Sequence, residues 1–461
     1  RRESGPTSPP SKNSSAPASP AAPPIAALHL GELWHLTRRP RPGEDPAAGL
    51  EVIARGALAV DPAGRIAGRG PADALRRRWP DAPVIDHGHA LLLPGFVDAH
   101  LHFPQLDIIG CWGEDLLGWL DRHVFPAEAA FADADLAARA AARFVTALLA
   151  AGVTAAAIFS SSHLDATDRL LREIDARGLR AIVGKLSMDR HAPPPLLRPP
   201  HVDIPEIRQL IDRWHGRADR IQIALTPRFV PTCSPRLLRA LGDLARERPD
   251  LPVQTHWAET EAEIDRVRRL HPRALDYLEL YEQAGLVRPR ALLGHGVHPT
   301  PRELERLAPR GATVVHCPLA NRFLGAGLFP LARYRAAGVA VALGSDVGAG
   351  TSFSPWRVML AAYEVQRRQG LTLHPVELLD LATLAGAAAI GLEDQIGNFA
   401  TGKRADFIVI DPSRHPLLAA RANASRDPAD RLFALIALGD ERLTRATYLD
   451  GNRAWAASTD E

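Results

Sequence analysis

The chain has 461 residues, of which 46% are hydrophobic, so it is long enough for a large buried core and for more than one domain. Its 55 Lys and Arg residues nearly balance its 53 Asp and Glu residues, and this balance gives no support for a nucleic-acid partner. The widely spaced Cys111, Cys233 and Cys317 argue against a disulfide framework and favour a reducing compartment. No apolar run approaches the roughly 18 residues of a membrane helix, so we expect a cytoplasmic protein with no membrane partner.

The beginning of the chain differs in composition from the rest. Residues 1–27 are rich in Ser, Pro and Ala and contain little that folding could bury. Such a segment cannot offset the loss of chain entropy on folding, so we expect a disordered tail. Beyond it, residues 28–93 contain short strands and turns, with a hairpin predicted over 58–66. Residues 396–461 are also predicted to contain strands, and they include a second hairpin around 448–452.

Two histidines end the apolar segment Pro94-Gly-Phe-Val-Asp-Ala-His100-Leu-His102. Residues i and i+2 of a strand share one face, so His100 and His102 point in the same direction. Two neutral imidazoles that converge in this way favour a divalent metal, most commonly zinc. A metal with a position open to water makes hydroxide available near neutral pH, so the pair predicts a metal-dependent hydrolase. A single His-x-His pair is a weak signal, because buried and exposed histidines are common.

Further potential ligands strengthen this signal. Four later segments with the composition of buried strands end in His256, His295, His316 and Asp346. Helices predicted at 261–270 and 301–307 separate them, and alternating strands and helices favour parallel βαβ units. In a (β/α)₈ barrel the catalytic residues lie at the carboxyl ends of the strands. The sequence therefore predicts an α/β fold with a TIM-like (β/α)₈ barrel.

Longer motifs surround these residues. They are Phe103-Pro-Gln105 with the following Cys-Trp112-Gly, Leu225-Thr-Pro-Arg228-Phe229, Thr255-His256-x-x-Glu259, His316-Cys-Pro-x-x-Asn321 and Gly344-Ser-Asp346-Val-Gly. Together they resemble the guanine deaminase family of the amidohydrolase superfamily, over residues 28–455. The resemblance implies a barrel over 94–395 and a small β-sandwich domain that both chain ends form, from 28–93 and 396–461. It also implies a homodimer.

The resemblance implies one zinc ion per subunit, held by His100, His102, His256 and Asp346. Imidazole and carboxylate ligands suit Fe²⁺ as well, so the donor set leaves iron open. Asp346 is expected to accept a proton from the attacking water, and His295 to orient that water beside the substrate. Glu259 is expected to protonate a ring nitrogen, because burial raises the pKa of a carboxyl group.

The implied reaction is the hydrolytic deamination of guanine to xanthine and ammonia in purine catabolism. Arg228 supplies a permanent donor for the C6 carbonyl of the purine, and Gln105 is expected to recognise a ring edge. Phe229 and Trp112 are candidates to cover the ring face, although core packing is an equal alternative for Trp112. A related heterocycle remains an alternative substrate: 8-oxoguanine, a pterin or a triazine. A non-catalytic barrel is the alternative from another class.

Two other features bear on the site. Lys185 resembles the lysine that bridges two metals in some amidohydrolases, but it follows the third strand rather than the fourth. We therefore expect a single metal, with Lys185 in a structural role or in contact with the residues that hold the metal. Residues 190–205, which are rich in Pro and Arg, are predicted to form either a lid or a surface excursion.

Overall fold

A computed structural model of the chain describes residues 24–113 and 115–458. Most of the predicted tail at 1–27 lies outside these residues. The described strands are β1 (Ala27–Leu36), β2 (Leu50–Val60), β3 (Ile66–Pro71), β4 (Val84–Pro94), β5 (Phe96–His102), β6 (Val153–Phe159), β7 (Arg180–Gly184), β8 (Leu186–Ser187), β9 (Ile221–Ile223), β10 (Thr226–Pro227), β11 (Val253–Trp257), β12 (Ala291–His295), β13 (Thr313–His316), β14 (Ala340–Leu343), β15 (Phe407–Ile410), β16 (Thr444–Leu449) and β17 (Asn452–Ala456).

Most of the helices lie between these strands. They are α1 (Ala72–Arg78), α2 (Leu116–Trp119), α3 (Phe125–Ala130), α4 (Ala134–Ala150), α5 (Leu164–Arg177), α6 (Pro200–Trp214), α7 (Pro235–Glu247), α8 (Glu261–Leu270), α9 (Tyr277–Ala284), α10 (Pro301–Leu307), α11 (Pro318–Phe323), α12 (Leu331–Ala336), α13 (Pro355–Arg367), α14 (Pro375–Ala382), α15 (Leu384–Ala389), α16 (Pro416–Asn423) and α17 (Pro428–Leu438). The bounds of α8 and α10 confirm the two helices predicted from the sequence. Within the described residues, no helix is both long and apolar enough to cross a bilayer.

Both ends of the chain contribute to one seven-stranded sheet. Its strand order is β17-β16-β15-β4-β1-β2-β3, and β1 pairs with β4 in parallel while the other pairs are antiparallel. The antiparallel pairs β2–β3 and β16–β17 confirm the two predicted hairpins. Leu33, Leu92, Phe407 and Tyr448 belong to the apolar cluster of this sheet. Among the described strands, the chain ends form this one sheet and no second sheet, so the predicted β-sandwich is not shown.

Eight parallel strands form the central part of the fold. They are arranged as two four-stranded sheets, β5-β6-β7-β9 and β11-β12-β13-β14. A parallel bridge between Leu225 and Val253 joins the two sheets on one side. On the other side the backbone N–H of Asp346 donates to the carbonyl oxygen of His100 at 2.8 Å. The carboxyl ends of the strands therefore face a common region, and the molecule has an α/β fold.

Amphipathic helices cover these parallel strands. In α7, for example, Leu237, Leu241 and Leu244 recur at helical spacing and are buried, and the hydroxyl of Ser234 caps the first turn by accepting from the N–H of Leu237. Each such buried leucine stabilises the fold by about 1.5–3 kcal/mol relative to an exposed one. The helices thus stabilise the strands, and the strands position the side chains at their carboxyl ends.

A buried ion pair connects the terminal sheet to the parallel strands. Arg180, the first residue of β7, is fully buried, and its Nε lies 2.6 Å from Oδ2 of Asp406. Its Nη2 lies 2.5 Å from Oδ1 of Asp450, which follows β16. A lone buried guanidinium would be strongly unfavourable, so these two carboxylates hold the sheet against the amino ends of the strands.

Candidate metal centre and cavity

Four buried side chains converge at the carboxyl ends of the parallel strands. His100 and His102 end β5, His256 lies near the end of β11, and Asp346 follows β14. One ligand atom from each lies within 4.8 Å of those of the other three. Nε2 of His102 is 3.1 Å from both Nε2 of His256 and Oδ1 of Asp346, and Nε2 of His100 is 3.4 Å from the same oxygen. The structure thus brings together the four residues predicted to hold the metal.

The hydrogen bonds of His256 fix which of its nitrogens carries the proton. Nδ1 lies 2.7 Å from the backbone oxygen of Arg228, which can only accept, so Nδ1 carries the hydrogen. Nε2 then has a free lone pair that faces His102 and Asp346. Both ring nitrogens of His100 are buried without a hydrogen-bond partner among the described residues. Unpaired buried nitrogens are costly, and a divalent cation would bind the lone pair of one of them, so the donor set fits a metal.

Backbone geometry around the centre is unusual in two places. His295 has φ +71° and Asp346 has φ +51°, which is the left-handed region that side chains other than glycine seldom adopt. Strain of this kind persists where the surrounding structure enforces it, often at functional sites. Close packing adds to it, because a Cβ atom on Gly294 would lie 2.5 Å from Cε1 of His100. Glycine at 294 therefore allows the imidazole of His100 to lie against β12.

Asp98 binds the backbone of two segments that carry predicted metal ligands. This residue was not selected from the sequence. Its Oδ1 accepts hydrogen bonds from the backbone N–H groups of His100 at 3.2 Å and Ser345 at 3.0 Å. Burial raises the pKa of Asp98 to about 6. By joining β5 to the segment after β14, Asp98 fixes the distance between the His-x-His pair and Asp346. Its position two residues before His100, on the same face of the strand, is the signal that could have identified it.

The two acidic groups of the site have opposite pKa shifts. Burial by itself would raise the pKa of Asp346, but the adjacent imidazoles of His100 and His102 hold it well below the ordinary value. Burial raises the pKa of Glu259 well above its ordinary value, and the nearby charge of Asp346 adds to this effect. Groups with divergent pKa values in one site are suited to separate acid and base roles.

Glu259 is held in place by its neighbours. Its backbone N–H donates to Oε2 of the buried Glu263 at 2.9 Å, and Tyr277 donates its hydroxyl to the other oxygen of Glu263 at 2.6 Å. Oε2 of Glu259 lies 3.6 Å from Nε2 of His295, whereas its Oε1 has no partner among the described residues. Glu259 is therefore a buried carboxyl group with one oxygen available to a ligand.

His295 stands between the two carboxyl groups. Its Nδ1 lies 2.9 Å from Oδ1 of Asn321, and its Nε2 lies 3.7 Å from Oδ2 of Asp346. The amide of Asn321 orients the imidazole so that Nε2 faces Asp346 and Glu259. His295, Glu259 and Asp346 thus form a polar surface next to the predicted metal ligands.

A small cavity opens onto these groups. The side chains that line it are His102, Gln105, Leu116, Trp119, Leu120, Arg228, Phe229, His256, Glu259, His295, Asp346 and Ala349. Its lining, which combines apolar and aromatic side chains with a few polar groups, is typical of small-molecule sites. Phe229 lies where the sequence predicted an aromatic cover.

The prediction for Trp112 needs correction. Trp112 is 66% exposed and does not line the cavity, because the loop after residue 108 turns it towards solvent. Trp119, which is buried at the end of α2, lines the cavity together with Leu116 and Leu120. The i, i+3, i+4 spacing of these three apolar residues is the signal that could have identified them.

A buried carboxylate joins the two polar side chains expected to recognise the substrate. Nη1 of Arg228 donates to both oxygens of Glu128, at 2.7 and 2.6 Å, and Nε2 of Gln105 donates to Oε1 at 3.0 Å. All three side chains are buried, and the guanidinium also lies 5.5 Å from the centre of the Phe125 ring. Sequence reasoning missed Glu128, which lies on α3, 100 residues before Arg228.

A model of the amidohydrolase family matches residues 91–453, which is most of the chain. The chain belongs to the amidohydrolase family. This amidohydrolase is 42% identical over 414 residues to a Deinococcus radiodurans protein described as a probable guanine deaminase, covering 88% of this chain and 94% of that one. It is 38% identical over 422 residues to guanine deaminase of Escherichia coli, covering 91% and 96% of the two chains.

Solved structures give the same relationship in three dimensions. E. coli guanine deaminase superposes with a TM-score of 0.91 at 37% identity, covering 93% of this amidohydrolase and 99% of that chain. Guanine deaminase from C. acetobutylicum, solved with bound guanine in its active site, superposes with a TM-score of 0.83 at 29% identity. That comparison covers 93% of this chain and 100% of the other.

Lys185 of this amidohydrolase lies outside the cavity lining. It is fully buried, and its Nζ lies 2.5 Å from Oδ1 of Asp203 and 2.9 Å from Oε2 of Glu206. Both acidic residues lie on α6, which begins within the 190–205 segment whose role the sequence left open. This segment therefore anchors a buried ion pair next to β7, in agreement with a structural role for Lys185.

Proposed function

We propose that this amidohydrolase hydrolyses guanine to xanthine and ammonia. The observation that carries the proposal is the juxtaposition of the four converging metal donors with Arg228 and Gln105 in one cavity. Arg228 supplies the hydrogen-bond donors that a purine carbonyl needs. Glu259, His295 and Asp346 supply acid and base groups in the same cavity. The guanine deaminases among its relatives, and the guanine bound by the C. acetobutylicum structure, support the same substrate.

The donor set supports one Zn²⁺ per subunit, held by His100, His102, His256 and Asp346. When bound there, zinc would lower the pKa of a water molecule and so provide a nucleophile near neutral pH. Neutral imidazoles are needed for this role, and burial lowers the pKa of His102 to about 4 and holds that of His256 well below its ordinary value. Fe²⁺ suits the same ligands, so metal analysis of the purified protein decides between the two.

The residues divide the proton transfers of the reaction between them. The attacking water forms a bond from its oxygen to C2, and Asp346, whose pKa is held low, accepts the proton that this water loses. Glu259, whose pKa is raised, gives a proton to N3 of the ring. Asp346 then gives the proton taken from the water to the exocyclic nitrogen, and the bond between C2 and that nitrogen breaks as ammonia leaves. Glu259 recovers a proton from the C2 hydroxyl group as the C2 carbonyl of xanthine forms. His295 orients the water between these two carboxyl groups.

Contacts with the cavity side chains hold the purine so that C2 and N3 face the groups that transfer protons. The guanidinium of Arg228 donates to the C6 carbonyl, and Gln105 contacts the adjoining ring edge. Phe229 and Trp119 cover the ring faces, with Trp119 in the place that the sequence assigned to Trp112. Exclusion of water by these aromatic groups strengthens the polar interactions inside the cavity.

We also propose that the eight parallel strands close into a (β/α)₈ barrel over 94–395. The bridge between Leu225 and Val253 and the hydrogen bond from Asp346 to His100 support closure on both sides. The terminal sheet, from 28–93 and 396–461, would form the small second domain. The homodimer, the cytoplasmic location and the role in purine catabolism stay predictions. Light scattering during gel filtration tests whether the protein is a dimer.

An assay of product formation tests the proposed function. Zinc-loaded protein is incubated with guanine, 8-oxoguanine, a pterin, a triazine, adenine or cytosine, and products are separated by liquid chromatography while ammonia is measured. We expect xanthine and ammonia in equal amounts from guanine. Turnover of 8-oxoguanine, a pterin or a triazine in place of guanine would instead assign the enzyme to the related heterocycle.

A further inference from the structure

Glu128 has no part in the chemistry described above, yet it contacts both polar groups that recognise the purine edge. It is 1% exposed, and its carboxylate accepts hydrogen bonds from Arg228 and from Gln105. Among the described residues it is the acidic group that pairs with Arg228. A buried acid with both oxygens engaged by substrate-facing side chains is well placed to control their orientation.

We propose that Glu128 is a positioning residue that sets the order of donor and acceptor groups facing the 6-oxo edge of the purine. The inference rests on the proposed function. A carboxylate can only accept, so Gln105 must present its amide nitrogen to Glu128. Its carbonyl oxygen is thereby turned away from Glu128 and remains an acceptor.

The backbone next to Gln105 reinforces this orientation. Gly348 has φ +123°, and a Cβ atom there would lie 2.0 Å from Oε1 of Gln105. Glycine therefore provides the space in which the amide oxygen lies. With the nitrogen held by Glu128 and the oxygen seated beside Gly348, the amide of Gln105 has one defined orientation.

The same carboxylate fixes Arg228. Within residues 24–113 and 115–458, the hydrogen bonds of its guanidinium to protein atoms are made by Nη1, and both go to Glu128. The remaining N–H groups are thereby available to the cavity, which Arg228 lines. The pair neutralises the guanidinium, so Arg228 acts on the purine as a directed donor rather than as a free charge beside the metal donors.

Together, a donor from Arg228 and an acceptor from Gln105 match the carbonyl at C6 and the N–H at N1 of guanine. Adenine presents the reverse order at these positions, with an amine at C6 and an acceptor at N1. The orientation enforced by Glu128 therefore selects the 6-oxo purine, although Glu128 itself does not contact it.

A double-mutant cycle tests the proposal in the zinc-loaded full-length protein. The variants are Glu128→Gln, Arg228→Met and the double variant, with Asp406→Asn as the matched control because it also removes a buried acid from an arginine pair. For each we measure kcat and KM with guanine, zinc content and the thermal unfolding midpoint. The affinity for 2-aminopurine, which lacks the C6 carbonyl, is measured from its fluorescence.

We expect Glu128→Gln to lower kcat/KM for guanine by about 10- to 100-fold, chiefly through KM, because the recognition groups are displaced. Zinc content and 2-aminopurine affinity should be little changed, and Glu128→Gln should add little once Arg228→Met is present. Asp406→Asn should lower the unfolding midpoint and leave kcat/KM of the folded protein unchanged.

Other results would overturn the inference. Multiplicative losses in the double variant, or equal losses of guanine and 2-aminopurine, would mean that Glu128 acts independently of the recognition groups. If Glu128→Gln does not fold, Glu128→Asp provides the test, because its shorter side chain keeps the charge and cannot hold both partners; unchanged guanine kinetics would then contradict the proposal. Failure of the wild-type protein to form xanthine would instead overturn the proposed function.

Discussion

Two pairs of buried histidines lie in different parts of the molecule. At the candidate metal centre, Nε2 of His102 and Nε2 of His256 are 3.1 Å apart. In the terminal sheet, Nδ1 of His29 and Nε2 of His87 are 3.2 Å apart. Burial lowers the pKa of all four imidazoles, to about 3 for His29 and about 4 for His87 and His102. Distance and burial therefore do not distinguish a candidate ligand pair from a structural one.

The surroundings of the two pairs do distinguish them. In the sheet, Nη2 of Arg445 lies 3.3 Å from Nδ1 of His87. A guanidinium can only donate, so Nδ1 accepts this hydrogen bond. Nε2 of His87 therefore carries the hydrogen and donates to Nδ1 of His29. Phe407 and Tyr448 pack against His29, and no carboxylate is near enough to join a metal group among the described residues. The two rings are thus joined by a hydrogen bond, and Nε2 of His29 has no partner among the described residues.

At the metal centre the lone pairs converge instead. The backbone carbonyl of Arg228 accepts a hydrogen bond from Nδ1–H of His256, so the Nε2 lone pair of His256 faces His102 and the carboxylate of Asp346. The comparison shows that a metal site is identified by imidazole lone pairs that point, together with a carboxylate oxygen, to one position. Proximity of buried histidines is not sufficient.

The largest effect is expected from His256→Ala. Loss of this ligand should remove zinc and lower guanine turnover by at least about 10⁴-fold, because the water is no longer activated. His29→Ala, the matched change in the sheet, should keep its zinc. Elemental analysis after gel filtration, together with ammonia release, checks both proteins. Zinc retained at wild-type level in His256→Ala would contradict the assignment of this ligand.

Glu259→Gln should leave zinc in place and lower kcat by about 10²- to 10⁴-fold, as expected for the loss of a general acid. Glu261→Gln, on the exposed surface of the same segment, serves as the control. Steady-state rates of xanthine formation at matched zinc content give the comparison. A wild-type kcat for Glu259→Gln would assign the proton transfer to another group.

Arg228→Lys should lower kcat/KM for guanine by about 10- to 100-fold, because a lysine cannot hold Glu128 and the purine together. The contrasting variant is Arg180→Lys, in which a buried arginine far from the cavity loses its paired geometry. It should reduce the free energy of unfolding and leave kcat/KM unaltered. Steady-state kinetics and chemical denaturation separate the two outcomes; equal kinetic losses would remove the distinction between the two arginines.

The last effect is on acid stability of the sheet and leaves guanine turnover at neutral pH unchanged. His29 and His87 have pKa values lowered by burial, so below about pH 6.5 the unfolded chain binds protons that the folded one does not. Their contribution to stability is complete above pH 6.5 and is lost as the pH falls towards 4, by up to about 1.4 kcal/mol per pH unit for each histidine. The variant His29→Gln/His87→Gln should show a shallower fall in unfolding free energy over this interval, measured by urea denaturation. The exposed His201→Gln should keep the wild-type slope; equal slopes for all three proteins would refute this explanation.

Local patterns in the sequence were sufficient for much of the fold. The helices at 261–270 and 301–307 and the hairpins at both chain ends agree with the structure, because capping residues and turn residues lie next to the segments they define. The candidate ligands were recognisable because each ends an apolar strand. Parallel strands bring their carboxyl ends together, so distant residues become neighbours without any local signal of contact.

The remaining features depend on contacts through space. Glu128 lies on a short helix, and nothing near it in the sequence indicates that its carboxylate meets Arg228. Trp112 and Trp119 belong to one motif, but the path of the loop decides which of them faces the cavity. The single terminal sheet likewise depends on β4 pairing with both β1 and β15, more than 300 residues apart. Strand pairing over such a distance is not encoded in any one segment.

The most direct test of the account compares three zinc-loaded proteins with guanine as substrate: the wild type, Glu259→Gln and His29→Gln. Xanthine is measured by liquid chromatography and zinc by elemental analysis in the same samples. The account predicts equal zinc in all three proteins, rapid xanthine formation by the wild type and His29→Gln, and almost none by Glu259→Gln. Absence of xanthine from the zinc-loaded wild type, or equal rates for Glu259→Gln and wild type, would contradict it.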